Sequence, residues 1–232
     1  MLLLLLLFAF LPTLIWLLFF LREDDTKPEP TWVLALTFAL GMAITPVVYY
    51  VEKFYQSLFS LQGAPPYTFW FFLFVGLIEE LAKWSVIYFI IRKNKAFDEP
   101  IDAMVYLTVA ALGFATVENV LSISSSYDNQ SFLFVEVGIL RLLGATLLHV
   151  FASCLVGFYW GRALLRKTSI AAALFWGLTI AILFHAMFDY LISRYTPLSI
   201  PLFLLVVAAF FVFRDFERLK PNEEMDKGVD SN

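Results

Sequence analysis

The chain has 232 residues, of which 61% are hydrophobic, 18% aromatic and only 16% charged, with a formal net charge of −4. A water-soluble domain is nearer half apolar and a quarter charged, so that class is excluded and the surplus, 26 Phe among it, faces lipid. No basic run of the kind that tracks phosphates occurs, which excludes nucleic acid as a partner, and the single Cys154 excludes an internal disulfide.

A bilayer span takes about 20 mostly apolar residues. Seven segments meet this in chain order: Leu2–Leu21, Trp32–Val51, Tyr67–Ile91, Ile101–Ile123, Phe132–Trp160, Ser169–Ile192 and Pro197–Phe213. The predicted fold class is therefore all-α, a polytopic transmembrane helical bundle of about seven spans. It forms a single domain over residues 1–215, and 216–232 form a polar cytoplasmic tail. The first segment has no positive n-region and no small-residue cleavage site, and its charges, Arg22 and Lys27, follow it. It is expected to stay as an uncleaved anchor.

Loop charges orient the bundle. Twelve of the sixteen basic residues follow spans one, three, five and seven. Lys53 and Arg194 fall on the opposite face, and Lys83 and Arg141 lie inside spans. The positive-inside rule then puts the N-terminus outside and the C-terminus in the cytoplasm. No internal repeat is visible.

Ionisable side chains at mid-bilayer cost about 2.5–3.5 kcal/mol on insertion scales and read as functional by default. Span three holds Glu79, Glu80 and Lys83, span four Glu118 and Asn119, span five Arg141 and His149, and span six His185 and Asp189. From the rise of about 1.5 Å per residue, Glu79 lies about 18 Å below the outer surface, Glu118 about 8 Å, His149 about 24 Å and His185 about 10 Å. A pocket at middle to outer depth is within reach of all four. Glu79 and Lys83 are i, i+4 on one helix face and pair there, which keeps a buried Glu ionised. His185 and Asp189 have the same spacing, so Asp189 accepts an imidazole N–H and fixes the ring's tautomer. Either pair alone reads equally well as a structural contact, and Arg141 reads as a counter-ion to Glu118, Glu136 or Asp189. Four helices each contributing polar groups read as a built site.

Three stretches carry a family pattern: Glu79-Glu80-Leu81-Ala82-Lys83 fits E-E-x-x-K, Phe114-Ala115-Thr116-Val117-Glu118 fits F-x-x-x-E, and His185-Ala186-Met187-Phe188-Asp189 fits H-x-x-x-D. In this order and on separate spans they resemble the PrsW family of intramembrane proteases, over about residues 75–192. The pattern is more distantly similar to the CAAX prenyl endopeptidases, which carry E-E-x-x-x-R, F-x-x-x-H and a final H-x-x-x-N or D. Lys83 and Glu118 put this chain on the PrsW side.

The resemblance implies hydrolysis of a peptide bond in a membrane-anchored protein, such as an anti-sigma factor, at a multi-pass protein of the bacterial inner membrane. Two mechanisms stay open. In one, Glu118, His149 and His185 hold a divalent metal, zinc by preference, and Glu79 or Glu80 is the general base with Asp189 behind. In the other, Glu79 or Glu80, held ionised by Lys83, activates water directly, and His149, His185 and Asn119 steady the oxyanion. The two glutamates project about 100° apart on a helix, so one of them is expected to face the pocket squarely. The rival class is a proton- or ion-coupled transporter using the same buried groups, and a third is a scaffold or receptor. Substrate identity and oligomeric state are not readable from the chain.

Overall fold

A backbone crossing hydrocarbon has no water to satisfy its N–H and C=O groups, so each apolar run closes its hydrogen bonds internally as a helix. The computed structural model of the protein describes residues 2–22, 27–61, 68–125, 133–194 and 199–219. Its helices are α1 (Leu2–Leu21), α2 (Thr31–Leu61), α3 (Phe69–Phe89), α4 (Asp102–Ser125), α5 (Leu133–Leu140), α6 (Thr146–Arg166), α7 (Ile170–Arg194) and α8 (Ser199–Leu219). α5 continues into α6 through a π turn at Arg141–Ala145, so among the described residues the eight helices form seven rods, as hydropathy predicts. Among the described residues no strand occurs.

Five rods (α2, α4, α5–α6, α7 and α8) are long and apolar enough to cross a membrane, and α1 carries a shorter apolar stretch, Leu6–Leu21. α3 matches them in length but places Glu79, Glu80 and Lys83 mid-helix. The chain is an integral, multi-pass membrane protein.

α4 is the axis of the bundle. Every residue from Asp102 to Thr116 is buried, because α1, α2 and α6 surround it. Small residues make that approach possible, as in other membrane bundles. A Cβ on Gly113 of α4 would lie 2.1 Å from the Phe38 carbonyl oxygen of α2, and one on Gly157 of α6 would lie 2.6 Å from the Met104 Cα. At the start of α4, Asp102 Oδ2 accepts from the backbone N–H groups of Asp98 (2.7 Å) and Glu99 (2.6 Å), closing the preceding loop.

α1 is tied in by polar contacts that a passive anchor would lack. Thr116 bonds Thr13 at 2.9 Å, Asn119 Nδ2 donates to the Ala9 carbonyl at 3.2 Å, and Trp16 Nε1 donates to the Leu142 carbonyl inside the π turn at 3.0 Å. A π turn leaves its carbonyls out of register with the helical ladder, so an external donor is the expected remedy.

Two boundaries differ from the hydropathy reading. α2 runs ten residues past Val51, to Leu61. Tyr55, in this extension, stacks on Phe74 and Phe71 of α3, with ring centroids 3.7 and 5.7 Å away. Aromatic packing therefore carries α2 beyond the point where charges end the apolar window. At the other end α8 continues to Leu219, with Phe216 and Leu219 buried. Residues 220–232 of the predicted tail lie outside the described residues, as do the predicted span starts at Tyr67, Phe132 and Pro197.

Candidate active site

The ionisable residues of α3, α4, α6 and α7 meet in one cluster. α3 supplies Glu79, Glu80 and Lys83, all at most 3% exposed, and Lys83 is fully buried. An ammonium buried in hydrocarbon persists only with partners. Lys83 Nζ donates to Glu80 Oε1 at 2.6 Å, lies 3.5 Å from Glu79 Oε2, and lies 3.1 Å from His149 Nδ1. The i, i+4 partner expected for Lys83 is therefore the longer contact, and the i, i+3 partner Glu80 is the tight one. Lys83 also sits 4.9 Å from the Phe114 ring centroid.

With Lys83 donating into Nδ1, the proton of the His149 ring resides on Nε2, which lies 2.8 Å from Glu118 Oε2. Glu118 in turn accepts from Arg141 Nη2 at 2.9 Å. Of the three counter-ions expected for Arg141, Glu118 is thus a partner, while the Glu136 side chain lies outside the described residues. Arg141 also donates through Nε to Asn119 Oδ1 and through Nη1 to Ser122 at 3.0 Å. Arg141 opens the π turn, and its guanidinium meets α4 at Glu118, Asn119 and Ser122.

His185 on α7 completes the group. Its Nδ1 lies 2.8 Å from Glu80 Oε1, and its Nε2 lies 3.3 Å from Asp189 Oδ2 and 3.6 Å from Glu79 Oε2. The His185–Asp189 contact is the one its spacing predicts. Gly76 keeps α3 and α7 close here, since a Cβ on it would lie 3.3 Å from the His185 Cβ. The rings of His149 and His185 stand edge to face, 5.3 Å apart.

A cavity of about 550 Å³ opens onto the cluster, lined among others by Glu79, Glu118, Arg141, His149, His185 and Asp189. Glu80 and Lys83 lie behind this lining. One oxygen each of Glu79 (Oε2) and Glu80 (Oε2) is buried without a hydrogen-bond partner among the described residues. One ligand atom each from Glu79, Glu80, His149 and His185 fall within 4.8 Å of one another, a group able to hold a metal ion. Glu118 meets this group at His149 Nε2, on the opposite side of the ring from Lys83.

Several sequence expectations are refined. Of the glutamate pair, Glu79 lines the cavity and Glu80 lies behind it, and both reach His185. Depths spread over about 16 Å by rise alone collapse to hydrogen-bond contact between His149 and Glu118. Asn119 neighbours the site through Arg141 and does not line the cavity. It is buried, and its amide is spent on Arg141, Ala9 and Thr146. Sequence reasoning missed Glu52, which reaches Glu79 from α2. Ending the span at Val51 puts Glu52 in a loop, and its only signal was the apolar run that resumes after it.

The family described as "PrsW family intramembrane metalloprotease" matches residues 29–214. That region extends beyond the three motifs to take in α2 and most of α8. Curated relatives agree. The chain is 28% identical over 181 residues to Protease PrsW of Geobacillus kaustophilus, covering 78% of this chain and 76% of the relative. It is 29% identical over 188 residues to Protease PrsW of Clostridioides difficile, covering 80% and 78%. Against Protease PrsW of Bacillus subtilis it is 27% identical over 186 residues, covering 78% and 79%. No solved structure matches the chain significantly. With its motif residues converging in a cavity between membrane helices and most of its length matched, the chain belongs to the PrsW family of intramembrane proteases.

Proposed function

We propose that the cavity hydrolyses a peptide bond of a single-span membrane protein, with Glu79 as general base. The observation that carries this reading is the position of Glu79: it lines the cavity, and its Oε2 makes no hydrogen bond among the described residues, with Lys83 Nζ 3.5 Å and His185 Nε2 3.6 Å away. Glu80, by contrast, is tied to Lys83 and His185. Glu79 takes a proton from water as the oxygen attacks the scissile carbonyl, and the C–N bond then breaks as the same proton passes to the leaving amine. His185 lines the same cavity, its two ring nitrogens held against Glu80 and Asp189. Glu118 and Asp189 each hold one ring nitrogen of a histidine, fixing its orientation.

The donor set suits a divalent ion. Two imidazoles and two carboxylates, with two carboxylate oxygens lacking partners, match the ligand chemistry of zinc. His149, His185 and Glu80 would hold it, and bound there it would act as a Lewis acid and lower the pKa of water. The resemblance points to Glu118, His149 and His185 as ligands; both histidines stay in the set proposed here, while Glu118 stands behind His149, 2.8 Å from its Nε2. A metal-free reading rests on Lys83, whose ammonium already lies against Glu80 and His149 and brings a positive charge to the same place. Elemental analysis of detergent-purified protein separates them. Near-stoichiometric zinc that falls in His149→Ala and His185→Ala supports the metal, and full activity in metal-free protein refutes it.

The distribution of basic residues supports an outside N-terminus and a cytoplasmic C-terminus. The Bacillota relatives support a bacterial cytoplasmic membrane, and a membrane-anchored regulator such as an anti-sigma factor fits as substrate. The carrier reading is not favoured, since the relatives carry the name of a protease. Comparative membrane proteomics of wild type and Glu79→Ala cells tests the proposal. An uncut single-span protein should accumulate in the variant, and identical membrane proteomes would refute it.

A further inference from the structure

A second cavity shares no residue with the first. It has a volume of about 420 Å³ and is lined by Arg92, Phe97, Glu99, Trp160, Leu164 and Ile170 among others. These residues follow α3, precede α4, close α6 and open α7, so the cavity lies where the rods end and hydrocarbon gives way to water. The loop that carries Glu99 is fixed. Asp102 holds the backbone N–H groups of Asp98 and Glu99, and a Cβ on Gly161 would lie 2.2 Å from the Pro100 carbonyl oxygen, so the loop rests directly on α6. Lys27 pairs with Asp98 at 2.6 Å and lies 3.8 Å from Glu99 Oε1. Three polar groups in this frame are left over. Trp160 is fully buried against Tyr88 and Phe97, with ring centroids 5.8 and 5.3 Å away, and its Nε1 finds no acceptor among the described residues. Glu99 Oε2 is buried without a donor among those residues. The Arg92 guanidinium lies over the Tyr88 ring, 4.0 Å from the centroid, and makes no ion pair among the described residues. A buried donor and a buried acceptor left open both cost free energy unless something outside the chain meets them.

We propose that this cavity binds the phosphoethanolamine headgroup of a membrane phospholipid, with the phosphate on Arg92 and the Trp160 N–H and the ammonium on Glu99. The open groups are one cation, one neutral donor and one carboxylate oxygen, so the matching ligand carries both an anion and an N–H donor. Guanidinium and phosphate oxygens are a strong charge-assisted pair. A purely anionic headgroup would set its charge beside Glu99, and a trimethylammonium has no hydrogen to give Glu99 Oε2. Half-buried Leu164 and Ile170 on the rim supply apolar surface for the start of an acyl chain. Bound in this way, the headgroup bridges the segment after α3 to α6, the helices that carry Glu79 and His149.

The test uses full-length protein purified in detergent and three probes with the same acyl chains: phosphatidylethanolamine, phosphatidylcholine and phosphatidylglycerol. Native mass spectrometry should show one phosphatidylethanolamine retained per chain, with a Kd at least about tenfold below those of the other two. Arg92→Met and Trp160→Phe should each raise that Kd about tenfold or more. Arg92 is exposed and the Trp160 N–H has no partner in the protein, so both variants should unfold at the wild-type temperature in lipid-free detergent. Lys93→Met removes an exposed cation that does not line the cavity and should leave lipid binding unchanged. Soluble glycerophosphoethanolamine separates a lipid from a free compound with the same group, and should bind at least about tenfold more weakly than the lipid because it brings no acyl chain. Equal retention of the three lipids, a preference for phosphatidylglycerol, or phosphatidylethanolamine binding unchanged in Arg92→Met and Trp160→Phe would each overturn the proposal. Glycerophosphoethanolamine binding as tightly as the lipid would overturn the assignment to a phospholipid.

Discussion

Replacing Lys83 by Met keeps the length of the side chain and removes its charge, which isolates the electrostatic role of the ammonium buried with the cluster. Nζ lies 2.6 Å from Glu80 Oε1 and 3.5 Å from Glu79 Oε2, with Lys83 fully buried. At an effective dielectric of about 20 these separations correspond to gross attractions of about 6 and about 5 kcal/mol. Desolvation of all three groups offsets much of that, and removing one partner of a buried pair has a net cost of about 3–5 kcal/mol. For a chain of this size that lowers the unfolding midpoint by about 10 °C. Thermal unfolding in detergent, followed by circular dichroism, is the assay. The double variant Lys83→Met/Glu80→Leu should regain part of the loss, because the Glu80 carboxylate orphaned by the first change is gone. A midpoint within about 2 °C of wild type in Lys83→Met would refute the reasoning, since no buried charge would then have lost its partner.

Other perturbations probe different layers of the molecule. Gly113→Ala places a Cβ 2.1 Å from the Phe38 carbonyl oxygen, so α2 and α4 must separate, at a cost of about 1–3 kcal/mol. Unchanged thermal stability would mean that the interface is looser than described. Arg141→Met removes the guanidinium from Glu118, Asn119 and Ser122. Loss of such an outer support should lower cleavage about 10–100-fold while the fold survives, and full activity would separate Arg141 from the site. Trp16→Phe deletes the donor to the Leu142 carbonyl in the π turn and should destabilise by about 1–3 kcal/mol. An unfolding midpoint equal to that of wild type would show that another group satisfies that carbonyl.

The membrane class, the rod count and most of the site were legible because lipid makes charge expensive. A Glu, Lys or His inside an apolar run stands out against its background, and Glu79, Glu80, Lys83, Glu118, His149 and His185 all do. Their i, i+3 and i, i+4 spacings also survive folding unchanged, which is why the His185–Asp189 contact was readable from sequence. Axial register was not readable. Rise per residue measures depth along one straight helix from an assumed surface, and hydropathy fixes neither where α2 and α8 end nor how one helix is set against the next. Nothing in hydropathy marks a π turn, since it changes backbone pairing and leaves composition alone. Glu52 escaped for a related reason: an apolar window ends at the first charges, but α2 continues because Tyr55 has Phe71 and Phe74 to stack against, a long-range contact invisible in the local pattern. The surroundings of Asn119 were not readable either, because its hydrogen-bond partners Ala9 and Thr146 come from distant segments.

The central claim is that the Glu79, Glu80, His149 and His185 cluster performs peptide-bond hydrolysis within the membrane. Its most direct measurement is cleavage of a reconstituted single-span substrate by the purified full-length protein, with Glu79→Ala and His185→Ala prepared in parallel. The wild type should release a new terminus mapped by mass spectrometry inside or beside the substrate's span. Both variants, folded to the same extent, should lose at least about 100-fold in rate. Cleavage at wild-type rate by either variant would contradict the account.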